Sequence, residues 1–404
     1  MKILFLGGVF DDSHIEEITS KTRTYVEYPA NNFQKKILRG LEECSQKPWV
    51  VSAPFLGAWP TAYSDVIFSG FDRSVRDDSG YTYVHFNNIW GIRNPSRARA
   101  LKKAVKRFAH DKSDKKLIIV YTPHTPLIEA ANFAKRIDPS IRICMIVPDL
   151  PQYMNLSEKI SLIYRTFKRF DVKRFMKESR TVDSFVLLTE QMKYPLEVGD
   201  RPYMVTEGIY EPGLPLERSP GGDTSTVVYT GKLNRSFGVI DLLEAFSSVD
   251  DPSLRLVICG SGDDKDIVAD YARNDSRIDF KGQVSHEEAA SCARRADVLV
   301  NPRRNDSEYT RYSFPSKIID YLSYGKPVVA YRLDGMPEAY EDFIWFVPEN
   351  TTDSLRETLL RVLSLPEKEK EAKSKAAIEY LENRLSTRSI AANILSMNFP
   401  GSNY

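Results

Sequence analysis

Short apolar runs alternate along the chain with longer stretches in which apolar residues recur at helical spacing. Four runs precede residue 205 and four follow it: Ile3–Leu6, Leu117–Tyr121, Ile143–Val147, Ser184–Leu188, Thr226–Tyr229, Leu254–Cys259, Val298–Val300 and Pro327–Ala330. Uninterrupted apolar strands followed by amphipathic helices are typical of parallel sheets that are covered on both faces. The pattern therefore predicts an α/β protein with two Rossmann-like domains.

The two series of strands are separated by residues 211–223, the segment of the chain that is densest in Pro and Gly. Such a composition is typical of a linker between domains. We therefore predict an N-terminal domain over residues 1–210, a linker over 211–223 and a C-terminal domain over 224–382. The length of 404 residues agrees with this division, because one hydrophobic core rarely supports so long a chain.

The composition is that of a folded globular protein, with 42% hydrophobic and 27% charged residues. The sequence has no apolar run of the roughly 18 residues that a membrane span needs, and its first residues resemble a short strand more than a signal peptide. We therefore expect a cytoplasmic protein. The four cysteines have no metal-ligand spacing and are expected to be buried free thiols: Cys44, Cys144, Cys259 and Cys292.

The net charge of +1 hides an uneven distribution of charge. Residues 1–200 contain 31 Lys and Arg against 23 Asp and Glu, whereas residues 201–404 contain 25 against 32. A basic N-terminal half indicates an anionic substrate or surface for that half. No nucleic-acid motif occurs, so we expect no nucleic-acid partner.

Basic residues cluster twice in the N-terminal half, and in the second cluster they alternate with Phe167, Phe170 and Phe175. The cations are Arg93, Arg97, Arg99, Lys102, Lys103, Lys106 and Arg107, and then Lys159, Arg165, Lys168, Arg169, Lys173, Arg174 and Lys177. A basic helix with aromatic residues favours peripheral contact with an anionic membrane. The alternative is a helix that buries its apolar face within its own domain and leaves its charges in water.

The segment Ser313–Val329 predicts a loop, a helix that opens at Pro315 and stops at Gly325, and then a buried strand. Unpaired N–H groups and the positive end of the dipole make a helix N-terminus suitable for phosphate. Polar side chains accompany it in the first turns: Ser316, Lys317 and Asp320. The segment therefore predicts binding of a phosphate ester.

A second phosphate-binding pattern follows the first strand of the C-terminal domain. Gly231 allows a close approach of the backbone, and Lys232 and Arg235 supply positive charge before the next helix. Two further loops also follow strands, where ligands of parallel sheets bind. Their residues are either next to the ligand or simple turn residues: Gly260, Gly262, Gln283 and Val284.

Together these segments resemble the nucleotide-sugar motifs of GT-B glycosyltransferases of the family 4 type, which assemble bacterial capsule, O-antigen and exopolysaccharide chains. The resemblance implies the GT-B fold, with two parallel sheets facing across a cleft and a C-terminal helix, residues 383–404, that packs back on the N-terminal domain. It also implies that Lys232 and Arg235 hold the diphosphate and stabilise the leaving group. Asp320 would bind the ribose hydroxyls.

The chain departs from the family pattern at two positions. The family usually has two glutamates separated by seven residues; the second corresponds to Asp320, and the first falls on Tyr312, which cannot serve as a carboxylate. Glu308, close by, is a weak candidate to replace it. The family also more often has a lysine immediately before the glycine at 238, where this chain has Phe237.

In the N-terminal domain, Gly7 and Gly8, His124 and Asp149 follow three predicted strands. The resemblance implies that a His or an Asp in these loops touches the donor sugar or the acceptor, and the two glycines would lie on the acceptor side. A lone histidine is also often purely structural.

These observations predict a hexosyltransferase that uses a nucleotide sugar, UDP-linked by expectation, and transfers the sugar to a hydroxyl of a glycan or lipid-linked acceptor with retention of configuration. We expect no metal and no other cofactor, and a location at the inner face of the cell membrane. Two alternatives stay open: a catalytically degenerate glycosyltransferase-like partner protein, and a GT-B nucleotide-sugar epimerase.

Overall fold

The computed structural model describes residues 1–71, 80–153, 162–212 and 224–401, with the backbone alone at 162–164. The chain forms two compact units: unit 1 comprises Met1–Ile209 with Thr387–Tyr404, and unit 2 comprises Tyr210–Ser386. Residues 213–223 of the predicted linker lie outside the described residues.

The first sheet, in unit 1, has the strand order β4-β2-β1-β6-β7-β8-β9, and each of its strand pairs is parallel. Its strands are β1 Lys2–Gly7, β2 Trp49–Ser52, β4 Tyr81–Tyr83, β6 Lys116–Tyr121, β7 Arg142–Val147, β8 Ser184–Leu187 and β9 Tyr203–Val205. Two short strands, β3 Ile67–Phe68 and β5 Phe86–Asn87, pair antiparallel beside it. Strands β1, β6 and β7 are neighbours, so the loops that follow them meet at one edge of this sheet.

The helices of unit 1 are α1 Ile15–Lys21, α2 Tyr28–Glu43, α3 Arg93–Ala109, α4 Thr125–Ile137, α5 Leu162–Glu178 and α12 Thr387–Asn398. The last of these packs against α2, where the backbones approach closely: a side chain at Gly40 would clash with the carbonyl of Thr387. Ile390 and Ile394 of α12 are fully buried in the core of this unit. The C-terminal helix begins at Thr387 and not at residue 383, because Leu381–Leu385 continues the preceding helix as a π-helical turn.

The second sheet, in unit 2, has six parallel strands in the order β12-β11-β10-β13-β14-β15. They are β10 Ser225–Lys232, β11 Leu254–Ser261, β12 Ile278–Gly282, β13 Val298–Asn301, β14 Val328–Tyr331 and β15 Trp345–Val347. The helices of this unit are α6 Val239–Ser247, α7 Lys265–Asn274, α8 His286–Arg294, α9 Lys317–Ser323, α10 Thr352–Ser364 and α11 Glu367–Tyr380. The apolar residues of β10, β11 and β13 are buried between these helices, which accounts for the uninterrupted apolar runs in the sequence.

Within the described ranges, no helix has the length and apolar character required to cross a membrane.

Replacing Ile394 with alanine should lower the free energy of unfolding of unit 1 by about 2–5 kcal/mol, because a fully buried side chain is lost and a cavity remains. Tryptophan fluorescence during urea denaturation measures this unit, since three of the four tryptophans belong to it: Trp49, Trp59 and Trp90. Asn393→Ala, at an exposed position of the same helix, is the control and should have little effect. Equal losses in the two variants would contradict the assigned packing of α12.

Candidate functional site

The loops that follow β10 and β11 meet at the carboxyl edge of the second sheet. Gly231 pairs with Gly260 in the parallel register, and Lys232 pairs with Ser261. A Cβ atom at Gly260 would clash with the carbonyl oxygen of Gly231. The close contact of the two backbones therefore requires glycine at position 260.

Hydrogen bonds join these two loops into one structure. The N–H of Leu233 donates to the carbonyl of Ser261 at 3.0 Å, and the N–H of Asp264 donates to the carbonyl of Leu233 at 2.9 Å. A side chain at Gly262 would clash with the same Leu233 carbonyl. The three glycines predicted from the sequence, including Gly231 and Gly260, thus lie together in one hydrogen-bonded pair of loops.

The two predicted cations extend from this pair of loops into solvent. Lys232 and Arg235 are exposed, and their charged groups make no hydrogen bond or ion pair with any residue that the structure describes. The backbone N–H of Arg235 donates to the carboxylate of Asp264, so this N–H is not available to a ligand. The positive charge offered to an anion here comes from the side chains.

Helix α9 is attached to β10 by a buried tyrosine that sequence reasoning missed. The hydroxyl of Tyr321 accepts a hydrogen bond from the N–H of Thr230 at 2.8 Å, one residue before Gly231. This bond links α9 to the loop of the predicted cations. The sequence held only a weak signal for it, a tyrosine on the apolar face of a helix.

The helix itself differs from the prediction. It begins at Lys317 and not at Pro315, because the N–H groups of Ile318 and Ile319 bond to the third residue before them and form a 3₁₀-type turn at the start. Ser316 is exposed and its side chain caps no N–H group. With seven residues, the helix has a smaller dipole than the sequence suggested, so any charge for a phosphate here comes from side chains.

Lys317 and Asp320 lie on the exposed side of α9. Lys317 Nζ is 3.5 Å from the Asp320 carboxylate, and both side chains are more than a third exposed. An ion pair this accessible to water is weak and can be replaced by contacts to a ligand. Both groups are therefore accessible to a ribose or a phosphate.

Gln283 and Val284 follow β12, at the end of the sheet next to β11. Gly282 before them has φ +66°, which turns the chain away from the strand. Gln283 is exposed and Val284 partly buried. Their backbone groups lie at the same edge of the sheet as the glycine loops.

The missing carboxylate has no buried substitute on this segment. Tyr312 and Glu308 belong to one 3₁₀ turn, Glu308–Tyr312, and Glu308 is exposed. The structure therefore places the candidate acid in solvent at the far end of the turn from Tyr312.

In unit 1, side chains of the same unit fill the space around the glycine turn that follows β1. The N–H of Gly8 donates to Gln34 Oε1 at 2.9 Å, and the ring of Phe55 fills the space where a side chain at position 8 would lie. Gly7 is likewise packed against Gln34. These glycines allow tight packing, and the Gly8 N–H is not available to an acceptor.

His124 lies at the end of β6, edge-on to the ring of Phe55 at 5.9 Å. Burial, and then the positive charges of Arg97 and Arg93, hold the pKa of His124 well below its ordinary value. Its Nδ1 atom is buried and has no hydrogen-bond partner among the described residues. The residue also lines the cavity described below, so a neutral imidazole borders that cavity.

Asp149, which follows β7, lies in an environment that disfavours its charged form. Burial, and then the nearby carboxylate of Glu27, raise the pKa of Asp149 to about 6. Glu27 is the residue before α2 and lines a small cavity together with Gly8 and Phe55. Nothing in the sequence around Glu27 indicated that it would lie near Asp149, because the two are brought together by the sheet.

Beside His124, a cavity of about 400 Å³ opens between α5 and the start of α3. Its lining is aromatic and basic: Trp90, Arg93, Phe167, Lys168, Phe170 and Arg174. Phe167 and Phe170 are more than half exposed, and Trp90 lies edge-on to Phe167 at 5.4 Å. Of the predicted aromatic residues of this helix, Phe175 alone is buried, while Lys159 lies outside the described residues.

The four cysteines are free thiols, as predicted. Cys44, Cys144 and Cys259 are buried, whereas Cys292 is partly exposed and lies beside Cys259.

The model of the family described as Glycosyl transferases group 1 matches residues 224–364, which span β10 to α10 of unit 2. No curated protein matches the chain. Solved structures match over almost the whole length. A lipopolysaccharide outer core galactosyltransferase, WaaB in its apo form, is 15% identical, with 99% of both chains covered and a TM-score of 0.65.

Two other similar structures have comparable scores. Sucrose-phosphate synthase from Thermosynechococcus elongatus is 15% identical, with 98% of both chains covered and a TM-score of 0.60. HepE from Anabaena, in complex with UDP, is 12% identical, with 98% of this chain and 99% of that chain covered and a TM-score of 0.62.

These likenesses show the fold, and the matched domain shows the class of enzyme. The predicted GT-B fold and the predicted enzyme class are confirmed: the chain is a glycosyltransferase of the GT-B type with a group 1 glycosyltransferase domain in unit 2.

Replacing Asp149 with asparagine should stabilise unit 1 in a pH-dependent manner. The raised pKa means that the folded state binds the proton more tightly than the unfolded state, so ionisation costs stability as the pH rises from about 4 to about 6. Asparagine does not ionise, and the variant should exceed the parent by roughly 2–3 kcal/mol at pH 8 and match it near pH 4. Urea denaturation at pH 4, 6 and 8 measures this difference, and a gain independent of pH would contradict the assigned environment.

Tyr321→Phe should lower the free energy of unfolding of unit 2 by about 1–3 kcal/mol, because the buried N–H of Thr230 loses its acceptor. Tyr324→Phe is the matched control, since the Tyr324 hydroxyl makes no hydrogen bond with any described residue. Calorimetry of both variants provides the comparison. A loss as large in the control would argue against the special role of Tyr321.

Proposed function

We propose that this glycosyltransferase transfers a hexose from a UDP sugar to a hydroxyl of a glycan or lipid-linked acceptor, with retention of configuration, in the synthesis of a cell-surface polysaccharide. Unit 2 binds the donor, and unit 1 binds the acceptor.

The observation that carries this proposal is the arrangement at the carboxyl edge of the second sheet. Gly231 and Gly260 bring two loops into contact, and the charged groups of Lys232 and Arg235 on these loops make no hydrogen bond or ion pair with any described residue. A departing nucleoside diphosphate gains negative charge in the transition state, and fixed cations stabilise that charge. Such a site suits a nucleotide leaving group, and the UDP in the similar HepE structure supports uracil as its base.

Helix α9 completes the proposed donor site. Asp320 accepts hydrogen bonds from the ribose hydroxyls, Lys317 contacts a phosphate or the sugar, and Gln283 and Val284 hold the base through their backbone groups. Ser316 contributes as an exposed hydroxyl at the start of the helix. We assign no metal to this site, since side-chain cations supply the charge.

On unit 1, His124 and Asp149 are the proposed contacts to the reacting groups, because both are held at the edge of the sheet and one ring nitrogen of His124 has no described partner. The aromatic and basic cavity beside them suits an acceptor with an apolar anchor and an anionic group. The exposed Phe167 and Phe170, with cations around them, support peripheral contact with an anionic membrane surface.

A degenerate partner protein is the second candidate, and the observation that favours it is Tyr312 in place of the expected carboxylate. Such a protein would bind nucleotide weakly or not at all. An epimerase of the same fold would need acids at the sugar, whereas Glu308 lies in solvent.

A thermal-shift screen without added metal tests donor binding, with UDP, GDP, ADP, CMP, dTDP and their sugars as ligands. Stabilisation by one nucleotide alone would identify the donor, since a ligand of the folded state raises the melting temperature by mass action. A flat screen would favour the degenerate partner.

Lys232→Ala and Asp320→Ala should each reduce sugar transfer by about 100-fold or more, since each removes a charged contact to the donor that counts in the transition state. Lys281→Ala, which removes an exposed cation paired with Asp279 at 2.7 Å, is the control and should keep its activity. Transfer is measured by release of the nucleoside diphosphate, alongside melting temperatures. Full activity in both test variants, with unchanged melting temperatures, would refute the site.

A further inference from the structure

A third cation lies at the same edge of the second sheet, on a segment that sequence reasoning did not consider. Arg303 follows β13, separated from the strand by Pro302. Its guanidinium carbon is 5.5 Å from the centre of the Phe237 ring and 5.4 Å from that of Tyr309. Both distances are within the range of cation–π attraction, so two aromatic rings from separate segments fix this side chain.

Arg303 has no partner of opposite charge in direct contact. Its guanidinium makes no hydrogen bond or ion pair with the residues that the structure describes, and Asp306 acts on it only through longer-range attraction. The next residue is a useful contrast, because Arg304 donates to Asp241 at 2.8 Å and to Thr352 at 2.9 Å. Arg304 is therefore structural, whereas Arg303 is held in place with its hydrogen-bonding capacity unused.

The position of Arg303 is energetically unfavourable in the protein without ligand. Arg303 is largely removed from water, which lowers its pKa from the ordinary value, although a guanidinium stays charged at neutral pH. A partly desolvated cation without an anion is unfavourable. The aromatic rings offset part of this cost, and an anionic ligand would offset more.

The position of Arg303 relative to the loop of Lys232 and Arg235 follows from the backbone. Strand β13 pairs with β10, so the residues after these strands share one edge of the sheet. Gly238 lies so close to Pro302 that a side chain there would clash with the Pro302 carbonyl, and its Cβ position is 3.2 Å from the backbone nitrogen of Arg303. Arg303 thus adjoins the turn that ends at Gly238.

We propose that Arg303 binds the diphosphate of the donor, with the rings of Phe237 and Tyr309 holding its guanidinium ready for two parallel hydrogen bonds to phosphate oxygens. Contact with the two rings uses none of the N–H donors of the guanidinium, and its planar N–H edge matches phosphate geometry. Phe237 thereby has a role in donor binding although it carries no charge. This inference rests on the proposed function, in which unit 2 binds a nucleotide sugar.

The test compares UDP and uridine binding to the full chain by calorimetry and NMR. Arg303→Gln should weaken UDP binding by about 10- to 100-fold and change uridine binding by less than about twofold, because only UDP carries the phosphates. Arg303→Lys should retain part of the UDP affinity. Arg311→Ala is the matched control: it removes an exposed arginine from the same segment, paired with Asp334 at 3.0 Å, and should leave both ligands unaffected.

A rescue variant separates binding from a purely structural role. In the Arg303→Ala background, Phe237→Lys places an ammonium group on the turn where the guanidinium was stacked. UDP affinity should recover by about tenfold or more over Arg303→Ala alone, whereas Phe237→Lys in the parent, where Arg303 already supplies the charge, should gain less than about threefold. Melting temperatures of all variants show which of them are folded.

The outcomes distinguish this inference from the proposed function. Failure of the parent protein to bind UDP, GDP, ADP, CMP or dTDP would overturn the proposed function, and this inference with it. UDP binding by the parent with full affinity in Arg303→Gln, equal losses in Arg311→Ala, or equal losses for UDP and uridine would each overturn the role of Arg303 alone.

Discussion

The close contact between the backbones at Gly231 and Gly260 is the constraint on which the rest of the proposed donor site depends. Parallel pairing of β10 and β11 continues to the last residue of each strand, so the loops leave the sheet side by side. Glycine at position 260 permits this contact, because a Cβ atom there would clash with the carbonyl oxygen of Gly231. Lys232 is then directed away from the sheet at a defined position, and the turn that carries Arg235 reaches Gly238, where it meets Pro302.

The ionisable side chains at the edges of the two sheets have opposite environments. At the edge of the second sheet, the charged groups of Lys232, Arg235 and Arg303 make no hydrogen bond or ion pair within the described part of the chain, which leaves their N–H donors for an anion. At the edge of the first sheet, burial disfavours charge: His124 is kept neutral, and the pKa of Asp149 is raised to about 6. Cations suit a leaving diphosphate, while weakly charged hydrogen-bonding groups suit an uncharged sugar hydroxyl.

The sequence predicted correctly those elements whose pattern depends only on neighbouring residues. Each of the eight predicted strands is present, because a strand buried on both faces must be apolar throughout. Strands β2, β4, β9 and β15 and the short pair β3 and β5 were missed, since all of them are short and β4, β9 and β15 lie at sheet edges. The start of α9 was placed two residues early, because proline favours a helix start but the first turn here is 3₁₀.

Site residues that lie in glycine loops were recognisable from the sequence, because close backbone approach requires glycine and its position after a strand is local information. Tyr321, Glu27 and Arg303 were not, since each acts through a partner distant in the chain: Thr230, Asp149 and Phe237 respectively. Gly8 was assigned an open turn, whereas the structure closes it with Gln34 and Phe55.

The sequence by itself thus determined the fold class, the division of the chain into two domains and the loops that face the carboxyl edges of the sheets, because hydrophobic periodicity and glycine turns are properties of neighbouring residues. Only the tertiary structure decided which charges are paired and which are left for a ligand. Arg303 and Arg304 are adjacent in the chain and identical in type, yet Arg304 pairs with Asp241, whereas Arg303 lies within cation–π distance of two rings. The physical reason is that burial and pairing depend on contacts between distant segments, which the order of residues alone does not reveal.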